Sequence, residues 1–302
     1  MTHAPFKLIP ATFTPFTDNG ELNLPGIDRQ AQVLSERGIG TVFVNGTTGE
    51  GASMSLQERE TAAARWVNAA RPLGLKVIVH VGHANPREAA ALAGHAQSIG
   101  ADGAAALAPY FFRPATVQEL VEVCAIIAAG APELPFYYYH IPSMTGVYLN
   151  MHEFLPAAAD RIPNLAGVKF TFENLMDYQL ALNLQHGRFD CLFGRDELLL
   201  AALVLGAQGA VGSTYNFLSP LFDDLIKAFN DQNLGEARTL QLRAQHVIQV
   251  GVRFGGLPAF KVMAELTGLP CGPTRRPLVT LNDQQRDALT RELNESGLLK
   301  TP

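Results

Sequence analysis

The sequence has no run of lysine or arginine and no basic stripe. Its 23 Lys+Arg against 28 Asp+Glu leave a formal net charge of −5 over 302 residues. Neutralising phosphates needs a concentrated basic face, so nucleic acid is not an expected partner. Cysteine is scarce: Cys124, Cys191 and Cys271 are scattered, odd in number and without CxxC spacing. That excludes a disulfide framework and favours a reducing cytoplasm. No stretch approaches the ~18 uninterrupted apolar residues of a membrane span. The opening MTHAPFKLIPATFTPF lacks the charged region and long apolar core of a signal peptide. Three catalytic fingerprints are also missing. There is no GxGxxG for a dinucleotide, no GK[ST] for a nucleotide phosphate and no GxSxG elbow for a serine hydrolase. His80 and His83 stand at i, i+3 in an expected strand, which would set them on opposite faces, and no His/Asp/Glu cluster has metal-ligand spacing. No metal is expected.

What is present is a chain 47% hydrophobic and 17% charged, enough for a large core. Short apolar runs at 8–14, 40–45, 76–82, 103–108, 136–140, 166–171, 190–194 and 210–213 are apolar almost throughout rather than alternating, as parallel strands covered on both faces are. Helical segments between them begin near Leu24, Ser55, Pro86, Thr116, Asn150, Leu175, Asp196 and Ser219. Ser55 and Glu58 have capping-box spacing, Pro86 suits a first turn, and Gly38, Gly100 and Gly206 fall where helices would end. Eight such units predict an α/β fold, a (β/α)8 TIM barrel followed by C-terminal helices, with a doubly wound open sheet as the alternative. The expected division is a barrel over 1–230 and a helical extension over 231–302 packed on it as one structural unit. Within the extension, GLPCGPTRRP at 268–277 reads as a loop.

In a barrel the chemistry sits at the carboxyl ends of the strands. That filter selects NGTTGEG, YYYHIP, GVKFT, FGRDE and VGSTYN. Lys169 interrupts an apolar strand, where burial disfavours an ammonium charge; a neutral amine there can attack a ketone. The bland alternative is a lysine that snorkels to the surface or pairs with Glu50 or Asp196. Thr47 and Thr48, flanked by glycines, can cradle an anion with hydroxyls and backbone N–H groups, or simply form a turn with Glu50 as a surface acid. Among the three tyrosines, Tyr138 points opposite to Tyr137 and Tyr139. One phenol near Lys169 can relay protons, while His140 reads as a structural hydrogen-bonding residue. Asp196 and Glu197 suit a helix N-terminus, and equally suit acceptance of sugar hydroxyls.

Together VFVNGTTGEG, PFYYYHIP, GVKF, FGRDE and GAVGSTYN, in order from about Ile9 to about Pro277, resemble the dihydrodipicolinate synthase/N-acetylneuraminate lyase superfamily, in its lyase branch of animal type. The resemblance implies a (β/α)8 barrel with three C-terminal helices, a homotetramer and no cofactor. It implies Lys169 as the Schiff-base lysine of a class I aldolase and Tyr139 as the proton relay. It further implies Thr47 and Thr48 at the keto-acid carboxylate, and Thr171, Gly194, Asp196, Glu197 and Ser213 at the sugar. The implied reaction cleaves N-acetylneuraminate to pyruvate and N-acetylmannosamine.

The departures from the synthase branch are specific. Met144 stands where those synthases hold a substrate carboxylate with arginine. In PYFFRP, Phe111 aligns with the tyrosine that they extend into a neighbouring subunit's site, with Tyr110 one residue away. Arg195 sits where the family varies. The alternatives that remain are another pyruvate-dependent member, acting on a 2-keto-3-deoxy sugar acid or making 4-hydroxy-tetrahydrodipicolinate, and a catalytically silent barrel that binds a keto acid.

Overall fold

The computed structural model describes residues 6–295 and Gly297. The first five residues of the expected barrel span, which also open the segment read for a signal, lie outside the described residues, as do 296 and 298–302 of the expected extension. Eight parallel strands form one sheet in the order β1-β8-β7-β6-β5-β4-β3-β2. They are β1 (Lys7–Pro10), β2 (Thr41–Val44), β3 (Lys76–His80), β4 (Gly103–Leu107), β5 (Phe136–His140), β6 (Leu165–Phe170), β7 (Asp190–Phe193) and β8 (Gly209–Gly212). The ring closes between β1 and β2 through a parallel bridge at Ala11 and Phe43, with the Thr12 N–H donating to Phe43 O at 3.0 Å. Five strands, β1 to β4 and β7, are shorter than the apolar runs, most visibly β1, which ends at Pro10 where a run to residue 14 was expected; β5 coincides with its run, and β6 and β8 keep their lengths but start one residue earlier. β3 ends at His80, so the strand alternation that separated His80 from His83 does not apply.

Helices fill the connections and the C-terminal segment: α1 (Leu24–Glu36), α2 (Leu56–Ala70), α3 (Pro86–Ser98), α4 (Val117–Ala128), α5 (Pro142–Thr145), α6 (Met151–Arg161), α7 (Leu175–Leu182), α8 (Leu199–Val204), α9 (Tyr215–Asn230), α10 (Leu234–Arg253), α11 (Leu257–Leu266) and α12 (Asp283–Glu295). Their starts follow local chemistry. Ser55 and Glu58 form the expected capping box on α2, Thr116 and Glu119 form another on α4, and Asn85 accepts from the Arg87 N–H ahead of α3. Gly38, Gly100 and Gly206 all have positive φ just past helix ends, as C-terminal caps require.

Two starts differ from expectation. Asp196–Leu198 forms a 3₁₀ turn before α8 rather than the helix itself. α9 begins at Tyr215, four residues before Ser219, so Pro220 lies inside it. Proline has no N–H for the carbonyl of Asn216, and the Arg37 guanidinium donates to that oxygen instead at 2.5 Å.

The core has two compartments. Inside the barrel Ile9, Phe43, Ile78, Ala105, Tyr139, Leu192 and Val211 pack together, while Trp66, Tyr138, Phe154 and Phe222 lie between strands and helices. Burying each such large apolar side chain contributes roughly 1.5–3 kcal/mol. Both faces of every strand are thus covered, which is why the runs show no alternation. One irregularity matters for function. The β5–β6 register shifts, pairing Phe136 with Leu165 but Tyr137 with Gly167, and so brings Tyr139 opposite Lys169. A Cβ on Gly167 would fall 2.1 Å from Asp190 O, so the closely packed strand requires glycine there.

Candidate active site

At the carboxyl ends of the strands lies a cavity of about 400 Å³. Its walls include all nine residues singled out from the sequence: Lys169, Tyr139, Thr47, Thr48, Thr171, Gly194, Asp196, Glu197 and Ser213. Lys169 is only 4% exposed. Its Nζ lies 4.0 Å from the centre of the Tyr139 ring and 4.3 Å from that of Phe43. Among the described residues no carboxylate stands within ion-pair distance of it. The two acids suggested as partners are engaged elsewhere: Glu50 with Lys261, and Asp196 with Thr214.

Tyr139 also packs on His80, whose ring meets it edge-on at 5.7 Å. The His80 Nδ1 lies 3.1 Å from Asn45 O. Burial, then the charges of Arg59 and Lys169, push the His80 imidazole well below its ordinary range, so it is neutral. Arg59 itself is buried and donates to the carbonyls of His80 at 2.8 Å and Gly82 at 2.9 Å. Sequence reasoning missed this support, although His80 ends an apolar strand as abruptly as Lys169 interrupts one.

The turn after β2 carries the hydroxyls. Thr47 Oγ1 is 3.3 Å from the Tyr139 hydroxyl, and Thr48 Oγ1 is 2.6 Å from Ser213 Oγ. The turn closes with the Glu50 N–H on Thr47 O and the Gly51 N–H on Gly46 O, both at 3.1 Å. Glu50 is not the surface acid that its place beside a helix suggested. It is buried, and its carboxylate sits 2.6 Å from Lys261 Nζ.

Beyond Lys169 the cavity turns polar. Asp196 is buried, with both of its Thr214 hydrogen bonds, from N–H at 2.8 Å and Oγ1 at 2.6 Å, on Oδ2. Burial, then repulsion from Glu197, push its carboxyl up to about 6, while the Thr214 hydrogen bonds work in the opposite direction. Gly212 makes the room, since a Cβ there would lie 1.9 Å from Asp196 Oδ1. Gly194 does the same for Thr171, whose Oγ1 is buried with no hydrogen-bond partner among the described residues. Arg195 also lines the cavity, paired with Glu173 and, at 3.4 Å, with Glu197. Ile248, Val252 and Phe260, from α10 and α11, line the same cavity, a contribution no motif marks.

The neighbours singled out in sequence divide. Met144 lines the cavity. Tyr110 and Phe111 are exposed, Phe111 by 78%. His140 is fully buried among Tyr138, Phe170 and Phe172, and neither ring nitrogen has a hydrogen-bond partner among the described residues, so its expected hydrogen-bonding role is corrected to aromatic packing. Burial pushes its imidazole down to about 4. Among the described residues no group of three or more His, Cys, Asp or Glu could hold a metal ion, and no helix is long and apolar enough to cross a membrane.

A barrel with a buried lysine at the end of its sixth strand defines the class of protein, and comparison with known proteins gives the family. The dihydrodipicolinate synthetase family model matches residues 4–296, and the chain belongs to that family. An N-acetylneuraminate lyase of Xenopus tropicalis is 46% identical over 97% of this chain and 97% of its own length. The solved N-acetylneuraminate lyase (sialic acid aldolase) of Aliivibrio salmonicida superposes with a TM-score of 0.95 at 40% identity, over 99% of each chain. A catalytic lysine mutant of the Ruminococcus gnavus sialic acid aldolase superposes with a TM-score of 0.89 at 26% identity, over 97% of this chain and 96% of that one.

Proposed function

We propose that the protein is a class I aldolase that cleaves N-acetylneuraminate to pyruvate and N-acetylmannosamine through a Schiff base on Lys169. The observation that carries this reading is the Lys169 amine, buried in the cavity and stacked on Tyr139, with no carboxylate at ion-pair distance among the described residues. A lysine kept only for structure gains from such a partner; a nucleophile does not. Its resemblance to lyases over nearly the whole chain supports the same reading.

The open-chain keto sugar binds with its carboxylate on the Thr47–Thr48 turn. The Lys169 amine adds to the C2 carbonyl, and loss of water leaves an iminium. Tyr139, its hydroxyl 3.3 Å from Thr47 Oγ1, gives its proton to the hydroxide that departs as water when the iminium forms, and as phenolate takes the proton of the C4 hydroxyl. The C3–C4 bond breaks, its electron pair moves into the iminium, and the amino sugar leaves as its aldehyde. Protonation of the resulting enamine at C3 and hydrolysis release pyruvate and the free amine. Asp196, Glu197, Ser213 and the unpartnered hydroxyl of Thr171 orient the polyhydroxylated tail, and Gly194 leaves room for it. Met144, uncharged where a semialdehyde synthase carries arginine, fits a neutral tail. The chemistry needs no cofactor.

We infer in the same way a homotetramer of the cytoplasm. Support comes from the exposed aromatic run Tyr110, Phe111 and Phe112 and from three buried cysteines, none in a disulfide. The test of the reaction is borohydride reduction in the presence of pyruvate. The expected result is a covalent adduct on the Lys169 peptide and none in Lys169→Ala. An unmodified Lys169 peptide, under conditions that label a known class I aldolase, refutes the mechanism.

A further inference from the structure

Behind the Thr47–Thr48 turn, on the side away from the cavity, lies a buried ion pair that the reaction does not use. Lys261, from α11, places Nζ 2.6 Å from Glu50 Oε1, with both side chains almost wholly buried. The Arg275 N–H donates to the other carboxylate oxygen at 2.7 Å, and Lys261 Nζ donates to Pro273 O at 2.7 Å. Lys261 and Arg275 both lie over the Phe16 ring, at 4.6 Å and 4.3 Å from its centre. The Arg275 guanidinium continues outward to Gly20 O at 2.6 Å and Glu58 Oε2 at 2.8 Å.

The turn held by this cluster is bent in an unusual way. Asn45 (φ 60°) and Glu50 (φ 53°), neither a glycine, bracket it in the left-handed region. Such conformations persist only where the surroundings over-determine them, and they collect at functional sites. On the Asn45 side the surroundings are Arg59 O, which accepts from the Asn45 amide at 2.8 Å, and the ring of His80. On the Glu50 side they are Lys261 and the Arg275 amide. Gly51 packs so closely on Asn45 O that an added Cβ would lie 2.0 Å away. A well-packed apolar pair would stabilise the fold at least as well as a buried ion pair. What the charges add is direction, since Glu50 Oε1 faces the Lys261 ammonium as an ion pair while Oε2 accepts from the Arg275 N–H.

We propose that Lys261 and Glu50 form a positioning brace for the carboxylate of the 2-keto acid, fixing the turn so that the Thr47 and Thr48 groups converge on an anion. The brace also sets α11, whose Phe260 lines the cavity next to Lys261 in sequence. This inference rests on the keto-acid reading of the cavity, and its test separates the two. Pyruvate affinity is measured by calorimetry, and the fraction of protein trapped by borohydride is measured at saturating pyruvate, for wild type, Lys261→Met and Glu50→Gln. The expected result is a dissociation constant raised about 10- to 100-fold, the cost of a small misplacement, with the saturated trapped fraction unchanged. Glu50→Gln keeps the shape of the side chain and serves as the second variant if Lys261→Met does not fold. Folded variants with wild-type affinity overturn the brace, and so does an equal loss of affinity and saturated trapping, which marks general damage. Wild type that binds pyruvate without being trapped refutes the Schiff base but leaves the affinity comparison intact. Wild type that binds no pyruvate refutes both.

Discussion

Asp196 offers a test in which sign and size both follow from its surroundings. Its carboxyl, ordinarily near 3.8, is pushed up to about 6 by burial and by Glu197. Between those values the folded protein holds a proton that the unfolded chain has released. Stability must therefore fall as pH rises through this window, opposite to the usual behaviour of a paired carboxylate. Below about pH 3.8 both states are protonated and Asp196 carries no penalty; above about 6 the penalty is complete. At about 1.4 kcal/mol per pH unit, a gap of about two units amounts to about 3 kcal/mol. Asp196→Asn removes the titration while keeping a side-chain oxygen for Thr214. Urea unfolding of wild type and variant across about pH 4 to 7.5 gives the difference, in which the other carboxylates cancel. The expected outcome is that the variant gains on wild type by up to about 3 kcal/mol as pH rises, levelling off above about 6. A difference constant with pH would refute the assignment of a raised carboxyl at Asp196.

Two further outcomes are expected. Gly212→Ala would place a Cβ 1.9 Å from Asp196 Oδ1 and drive the carboxylate off Thr214. Losing hydrogen bonds worth about 1.5–3 kcal/mol each should lower the unfolding midpoint and the cleavage rate while pyruvate is still trapped; an unchanged rate counts against Asp196 as a sugar-orienting group. Tyr139→Phe keeps the ring under Lys169 but removes the hydroxyl, so imine trapping should survive while cleavage falls about 10²- to 10⁴-fold. Retained cleavage would move the proton relay elsewhere.

The fold was legible because its signals are local. Capping boxes, glycines at helix ends and apolar runs each act over a few residues, and eight repeats of them leave few architectures. Where local signals misled, a distant residue had intervened. Pro220 reads as the first turn of a helix, yet α9 starts earlier because Arg37 takes over the carbonyl that proline abandons. His140 reads as a polar group in need of hydrogen bonds, but three aromatic rings from β5, β6 and the segment after β6 enclose it. The cavity walls from α10 and α11 were invisible for the same reason: Ile248, Val252 and Phe260 are ordinary apolar helix residues until the helices dock.

The two buried lysines show where sequence reasoning stops. Lys169 in GVKFT and Lys261 in PAFKVM carry one signal, a single lysine inside an apolar segment, and both side chains are buried. Sequence alone gives each the same choice, to find a carboxylate or to stand without one. Topology makes the choice. Lys261 lies on a helix outside the barrel, where the turn after β2 delivers Glu50 to it at 2.6 Å. Lys169 lies inside the barrel, where its close neighbours are the rings of Tyr139 and Phe43. Glu50, the one acid in the GTTGEG turn, faces outward to Lys261 while Thr47 and Thr48 face the cavity. That single division of side chains keeps a carboxylate away from the amine and leaves the space beside it to the carboxylate of a substrate.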